Sequence, residues 1–540
     1  MLGDDEDCIK DKKRHTDISE NGIFMFECTS YPFILISTTF SDVRLLFFLE
    51  GRIEVMKNFQ HKKVVIFFVI AILLRAFLYI FIYSRGYFYG KPWDSFSRTL
   101  LSYYWSNHPY FAPSDGYWLP LQFWINGIVF SLVKPWYPYS NLALPVLINN
   151  LFFIGSLLVT YKIIKCFTND SQFSSLSLWT LSIFSADIFI TFSGLCEPML
   201  VFFILASGYY FYRLIITKRK KFYITAISIV SLLASATHYI GWFISLFFIL
   251  FFSGWVINRC KLHKKVEVIE LMPVFTSLVI PLIWLINAYV RFGSPLYPLQ
   301  SAQHMQQPYL GQVDYWSRLL IIPKVLFLEI GIIAISGSIA LYYLLLKKDS
   351  RVLVSIPGVF VLFILWTTTI LGTSNPYQEP RYLVFYGWVI YPLVVLIARE
   401  YVDRQVAIIG ISVLLTIYIS QNFFQLLSYE NSFDKNLEKV AQEIRPWCPR
   451  QSNDSPLIII GNSFAESGVI PVLSGCPDKI LFLTKSQFEP SVSDIIFERK
   501  CTLIVTKSKS IAEEALSKKI NYKNVDRYFI FYCKDTLNIH

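Results

Sequence analysis

The densest group of side chains able to do chemistry lies in residues 84–117. This stretch carries Asp94 behind Trp93, then Arg98, His108 before Pro109, and Asp115 in Asp115-Gly116-Tyr117; it runs into Trp118-Leu119-Pro120-Leu121. Aromatic residues crowd it, among them Tyr87, Tyr89, Phe96, Tyr103, Trp105 and Phe111. A carboxylate can take the proton of a hydroxyl as that hydroxyl attacks a sugar carbon. Guanidinium groups and aromatic faces can hold a sugar and the phosphate that leaves it. The bland reading is an interfacial aromatic belt, which membrane proteins in general display. A belt does not call for two acids and an arginine just outside a hydrophobic segment. Asp94 and Asp115 are therefore the candidate catalytic residues, although Asp115 would serve equally as a turn cap before Trp118. Arg98, His108 and Trp118 are candidates for substrate binding.

Four further ionisable residues stand at the edges of apolar segments: Glu197 in Ser193-Gly-Leu-Cys-Glu197-Pro198, His238 in Thr237-His-Tyr-Ile-Gly-Trp242, and Glu379 and Arg381 in Glu379-Pro-Arg-Tyr382. Each reads as a substrate-binding candidate facing a common cavity, or as an ordinary solvated helix end. A local Glu–Arg pair would explain the last two as well. Arg75 lies inside an apolar segment, where it requires a partner, either an acid or a phosphate.

The elements that must position these residues are hydrophobic helices. Of 540 residues, 54% are hydrophobic, 17% aromatic and 16% charged, against about 25% charged in soluble domains. The surplus of apolar sequence must face lipid. Crossing a hydrocarbon core takes about 20 apolar residues, and twelve candidate segments are found, at 64–83, 118–133, 142–160, 174–192, 198–216, 223–238, 239–257, 270–290, 319–345, 352–371, 382–398 and 406–425. The 49 basic against 38 acidic residues leave +11, and the basic ones fall in short runs between segments, as at Lys218–Lys221, Arg259–Lys265 and Lys347–Arg351. They read as topology signals and not as a nucleic-acid surface. With those clusters inside, the count closes if 118–133, which contains Pro120 and Asn126, does not cross. That leaves about eleven crossings, N-terminus in and C-terminus out.

Residues 429–540 change character. Leu457–Gly461, Leu503–Thr506 and Tyr528–Tyr532 are short buried-strand runs, and 434–445 and 510–519 have helical spacing, which predicts a small soluble α/β domain. Cys448, Cys476, Cys501 and Cys533 of this tail lack metal-ligand spacing, so no metal site is expected; one or two disulfides would form if the tail is extracytoplasmic. No cofactor is implied, and a divalent-cation requirement stays open. Residues 1–55 are polar and mixed, whereas Met56 is followed by Lys57, Lys62 and Lys63 and then a long apolar run. The expectation is that the functional chain starts at Met56.

Arg75 in Leu73-Leu-Arg-Ala-Phe77, the early loop acid Asp94, Trp118-Leu-Pro-Leu121, the Glu197, His238 and Glu379–Tyr382 motifs and Gly293-Ser-Pro-Leu-Tyr297 follow one another in an order that resembles the GT-C superfamily of polytopic glycosyltransferases. The likeness is to the family 39 and protein O-mannosyltransferase-like members, and it covers residues 64–400. It implies an all-α polytopic membrane protein of about 11–13 transmembrane helices over residues 56–428. It also implies a polyprenyl-phosphate sugar donor and a protein, lipid or glycan acceptor outside the cytoplasm, with Asp94 as catalytic base and Arg381 on the donor phosphate. The acid pair common in relatives is Asp94-Ser95 here, which argues against a metal-dependent variant, and His238 stands where relatives carry arginine. A bacterial inner membrane with a periplasmic tail is the expected location. Two other classes remain open: a transporter or flippase of a lipid-linked saccharide, and a non-catalytic envelope-assembly protein.

Overall fold

The computed structural model describes residues 59–84, 93–112, 118–134, 142–298, 314–372, 380–403, 435–450, 457–460, 464–476, 480–483, 503–506, 522–525 and 528–532, with isolated positions at 300, 478, 513 and between 405 and 420. Residue Met56, Asp115, Glu379, most of the segment 406–425 and most of the predicted helix 510–519 lie outside them.

The helical body follows the apolar segments. In chain order it comprises α1 (Phe59–Ser84), α2 (Trp93–Asn107), α3 (Leu121–Val133), α4 (Ala143–Thr168), α5 (Ser171–Ser182), α6 (Ser185–Phe192), α7 (Glu197–Ile216), α8 (Lys220–Thr237), α9 (Tyr239–Lys261), α10 (Val268–Phe292), α11 (Tyr315–Val325), α12 (Ile332–Leu346), α13 (Ile356–Ile370) and α14 (Val384–Tyr401). Among the described residues five helices are long and apolar enough to cross a bilayer, or up to seven if each of two bent pairs is one span; α1 and α13 add shorter apolar stretches. Large apolar side chains face outward along these helices, as Leu73, Phe77 and Ile80 of α1 and Phe275, Leu282 and Ile286 of α10 do. Exposed apolar surface of this extent fits lipid contact. The interior is built from aromatic and branched residues such as Phe153, Phe184, Trp388 and Ile390. Gly208 of α7 is required there, because a Cβ at this position would lie 2.0 Å from the Val354 carbonyl oxygen.

Two predicted spans are broken. The segment read as 174–192 divides into α5 and α6, bent by 65°, and the segment 319–345 bends by 109° between α11 and α12. The second break follows a π-helical turn, Leu326–Ile330, and is taken by Gly331 at φ 61°, a left-handed conformation that favours glycine. The short segment 118–133 yields α3, which lies beside α2 in parallel. Arg98 meets Gln122 near the start of the pair, and Ser131 Oγ donates to the Ser106 carbonyl at 3.3 Å near its end. At 13 residues, α3 is among the shorter apolar helices and is paired along its length with the polar α2.

Basic residues collect at one end of the body. Arg399 pairs with Asp170 at 3.7 Å, Lys221 with Glu267 at 2.9 Å, Arg351 with Glu400, Arg259 with Glu270, and Lys347 Nζ donates to the Tyr401 hydroxyl at 2.7 Å. Arg213 donates to Cys166 Sγ at the same end. Among the described residues Cys196 and Cys260 are free thiols.

The tail is an α/β unit. Helix α15 (Lys435–Ile444), β1 (Leu457–Ile460), α16 (Phe464–Ser474), β2 (Ile480–Leu483), β3 (Leu503–Thr506), β4 (Tyr522–Val525) and β5 (Tyr528–Tyr532) follow in order. The sheet order is β2-β1-β3-β5-β4, with β1 parallel to β2 and β3, and β5 antiparallel to β3 and β4. Helix α16 packs on α2. One buried cluster joins Phe96, Leu142 and Phe192 of the body to Leu437, Val440, Val469 and Ile470 of the tail. The Tyr103 hydroxyl of α2 donates to Asp478 Oδ2 at 2.7 Å.

Candidate active site at the helix ends opposite the basic residues

Three segments far apart in the chain meet on one guanidinium. Arg381 lies in the 3-10 turn Pro380–Leu383 that leads into α14. Its Nη2 is 2.9 Å from Asp94 Oδ2, and its Nε is 3.1 Å from Glu197 Oε1. Asp94 occupies the first turn of α2. Glu197 opens α7, where Pro198 fixes the start of the helix and the helix N-terminus favours a negative side chain. The Glu197 and Arg381 side chains are 4% and 8% exposed, whereas that of Asp94 is 33% exposed. Among the described residues Glu197 Oε2 has no hydrogen-bond partner.

Arg98 is the second cation. Its Nη1 donates to Gln122 Oε1 at 2.9 Å, and the Gln122 amide donates in turn to the Gly194 carbonyl at 2.8 Å. The guanidinium lies over Trp118, 4.8 Å from the ring centre, a cation–π arrangement. Its Nε is buried without a hydrogen-bond partner among the described residues. As Arg98 is four residues after Asp94 on α2 it shares that helix face, so the two arginines border one space.

His238 stands between α8 and α9 with extended backbone, and its Nδ1 accepts the Ile240 amide proton at 3.1 Å. A neutral ring therefore carries its proton on Nε2. The imidazole lies 5.1 Å from the Tyr382 ring, next to Arg381. Burial, and then the charges of Arg98 and Arg381, hold its pKa well below the ordinary value, because each disfavours an added positive charge. Beyond it Phe111 packs on Trp124 and Trp284, and the Trp284 indole donates to the Tyr239 hydroxyl at 3.3 Å.

Asp94, Arg98, Trp118, Glu197, His238 and Arg381 are thus gathered at one end. His108 is not: it is exposed beyond the far end of α2, about 20 Å from Asp94 at the helical rise. Asp115 and Glu379 fall outside the described residues. Sequence reasoning missed Gln122, the Gly194 carbonyl and Tyr382. The signal for Gln122 was an amide at the head of an apolar run. Among the described residues no three His, Cys, Asp or Glu side chains come together to hold a metal.

No protein-family profile matches the chain, and no curated protein matches it in sequence. Solved structures do match. ArnT from Cupriavidus metallidurans bound to undecaprenyl phosphate superposes with a TM-score of 0.56 at 11% identity, covering 88% of this chain and 98% of that one. The apo state of the same protein gives 0.50 at 10% identity, over 86% and 98%. The Archaeoglobus fulgidus oligosaccharyltransferase in its apo form gives 0.44 at 11% identity, over 84% and 70%, too loose a superposition to argue from. The chain shares the fold of ArnT, in agreement with the polytopic all-α architecture expected from the sequence. It is an integral membrane protein of that architecture with a small α/β tail.

Proposed function

We propose that the chain is a glycosyltransferase that moves a sugar from a polyprenyl-phosphate carrier to an acceptor hydroxyl on the outer side of a membrane. The observation that carries this reading is the Asp94–Arg381–Glu197 network, formed by residues from three distant segments at the helix ends opposite the lysine-rich ones. The fold adds support, since ArnT binds undecaprenyl phosphate. In the reaction the acceptor oxygen bonds to the anomeric carbon, and the bond from that carbon to the phosphate oxygen breaks. The electron pair leaves on the phosphate, the configuration inverts, and the hydroxyl proton passes to Asp94. Arg381 and Arg98 stabilise the charge that develops on the phosphate, and Trp118 and the Phe111–Trp284 cluster offer faces for the sugar or the isoprenoid. Basic clusters at the opposite end support an inward orientation for that end. On this reading the site and the tail are extracytoplasmic and the membrane is a bacterial inner membrane.

The test is transfer of labelled sugar from a panel of polyprenyl-phosphate donors by membranes containing the wild type or Asp94→Asn. Turnover by the wild type and a loss of about 10²–10⁴-fold in an equally abundant variant is the expected result. Turnover that survives the substitution removes Asp94 as the base. Absence of turnover with any donor, accompanied by movement of the intact lipid-linked sugar across the bilayer, makes the protein a flippase and overturns the reading.

A further inference from the structure

We propose that the Asp94–Arg381 ion pair is a latch which the donor phosphate opens: the phosphate takes the place of Asp94 on Arg381, and the displaced carboxylate becomes the base. This rests on the transferase reading above and goes beyond it. Arg381 is held by two carboxylates that are not equivalent. Glu197 sits on Nε at 3.1 Å with its side chain 4% exposed, fixed at the first turn of α7. Asp94 sits on Nη2 at 2.9 Å with its side chain 33% exposed. An ion pair with one open partner contributes little and exchanges readily, whereas breaking a desolvated pair leaves an uncompensated charge. Glu197 is therefore the permanent holder of Arg381 and Asp94 the exchangeable one.

A phosphate and a carboxylate seek the same guanidinium edge, so both cannot occupy Nη2 in full. The Asp94 Oδ2 that accepts from Arg381 Nη2 at 2.9 Å is also closed to an acceptor hydroxyl while that contact lasts. With donor absent the base is thus masked. With donor bound, the phosphate holds Arg381 and Asp94 is free to meet an acceptor hydroxyl. The site charges fit this exchange. Two arginines and two carboxylates balance before the donor arrives, and Arg98, with its Nε unpartnered among the described residues, is a second donor that the phosphate can reach.

The proposal predicts the opposite of what loss of an ordinary binding residue would give. Undecaprenyl phosphate is titrated into the detergent-purified full chain, with undecaprenol as the control ligand. Asp94→Asn, which keeps the shape and removes the competing charge, should bind the phosphate about three- to ten-fold tighter than the wild type while transfer is lost. The gain should disappear when Asp94→Asn is compared with wild type in an Arg381→Gln background, and it should be absent with undecaprenol. Misfolding cannot produce a gain in affinity. Equal or weaker binding by Asp94→Asn overturns the latch and leaves the transferase reading standing, as does an equal gain with undecaprenol or a gain that persists without Arg381. A folded wild type that binds no lipid phosphate overturns the transferase reading and the latch with it.

Discussion

Replacing Arg75 by leucine should damage the protein more than replacing Arg75 and Asp187 together. Arg75 is 3% exposed and Asp187 1% exposed, and their side chains meet at 2.8 Å. Further guanidinium hydrogens go to the Ser182 carbonyl at 3.3 Å, the Asp187 carbonyl at 3.4 Å and Asn150 Oδ1 at 3.5 Å, and Phe153 covers the cation at 4.1 Å. Asp187 also accepts from Trp388 and from Thr191, both at 3.2 Å. Removing the cation leaves a buried carboxylate with two neutral donors, a loss of about 3–5 kcal/mol. Removing both charges in favour of packed leucines is often close to neutral, so Arg75→Leu/Asp187→Leu should fall within about 2 kcal/mol of the wild type. Heating unfolds membrane proteins of this size irreversibly, so the order of the transitions is the observable quantity. Tryptophan fluorescence melting of the purified variants, together with the monodisperse fraction on gel filtration, should rank the wild type and the double variant above both single variants. A double variant as unstable as the sum of the two single changes would refute the argument, because the two side chains would then act independently.

Two further outcomes concern the site end. Tyr103→Phe or Asp478→Asn should loosen the tail by about 1 kcal/mol, a charge-assisted bond discounted for the exposure of Asp478, and limited proteolysis should then release the tail faster. Burial, and then the bond to Asp478, raise the pKa of the Tyr103 hydroxyl above its ordinary value. The contact is thus complete below about pH 10, the unfolded tyrosine value, and fails only as pH rises further; a rate of tail release that changes between pH 6 and 9 in the wild type, and not in Tyr103→Phe, would contradict this. His238 has its pKa depressed, so its neutral form is favoured in the folded protein, and the stability it contributes is present above about pH 6.5 and declines as pH falls toward the folded value. The transfer rate should accordingly show no imidazole ionisation between about pH 5 and 8, and His238→Asn should leave the shape of that profile unchanged; a limb near pH 6.5 that the substitution removes would refute the assignment.

How much of this was legible in the sequence depended on the range of the interaction. Arg381 was marked by its own neighbours, a proline opening a helix and a charge at the helix end. Its partners are 287 and 184 residues away, and no local pattern announces that Asp94 and Glu197 share it. Gln122 was absorbed into an apolar run, which the structure shows as a helix of only 13 residues opening after Pro120. In the tail, β1, β3 and β5 carry apolar runs that declare buried strands. Strand β4, Tyr-Lys-Asn-Val, is mostly exposed at the sheet edge and has no such pattern, and α16 contains Pro471, which argues against a helix when only local sequence is read.

The break between α5 and α6 shows most directly why local reading ran out. Residues Ile183 and Phe184 at the break are good helix and strand formers, neither glycine nor proline, so nothing in the segment 174–192 predicts a bend. Helices kink where a side chain inserts into the backbone hydrogen-bond ladder, and the side chain found at this break is Arg75, which comes from α1 and donates to the Ser182 and Asp187 carbonyls. The bend has a consequence at the site. It directs α6 into the Ser193–Cys196 turn, where Gly194, at φ 73°, presents its carbonyl to Gln122, and the next helix begins at Glu197 under Arg381. The buried arginine in the first span and the arginine of the ion-pair network are therefore connected through one short helix. A substitution at Arg75 should then change the geometry of the site as well as the stability of the fold.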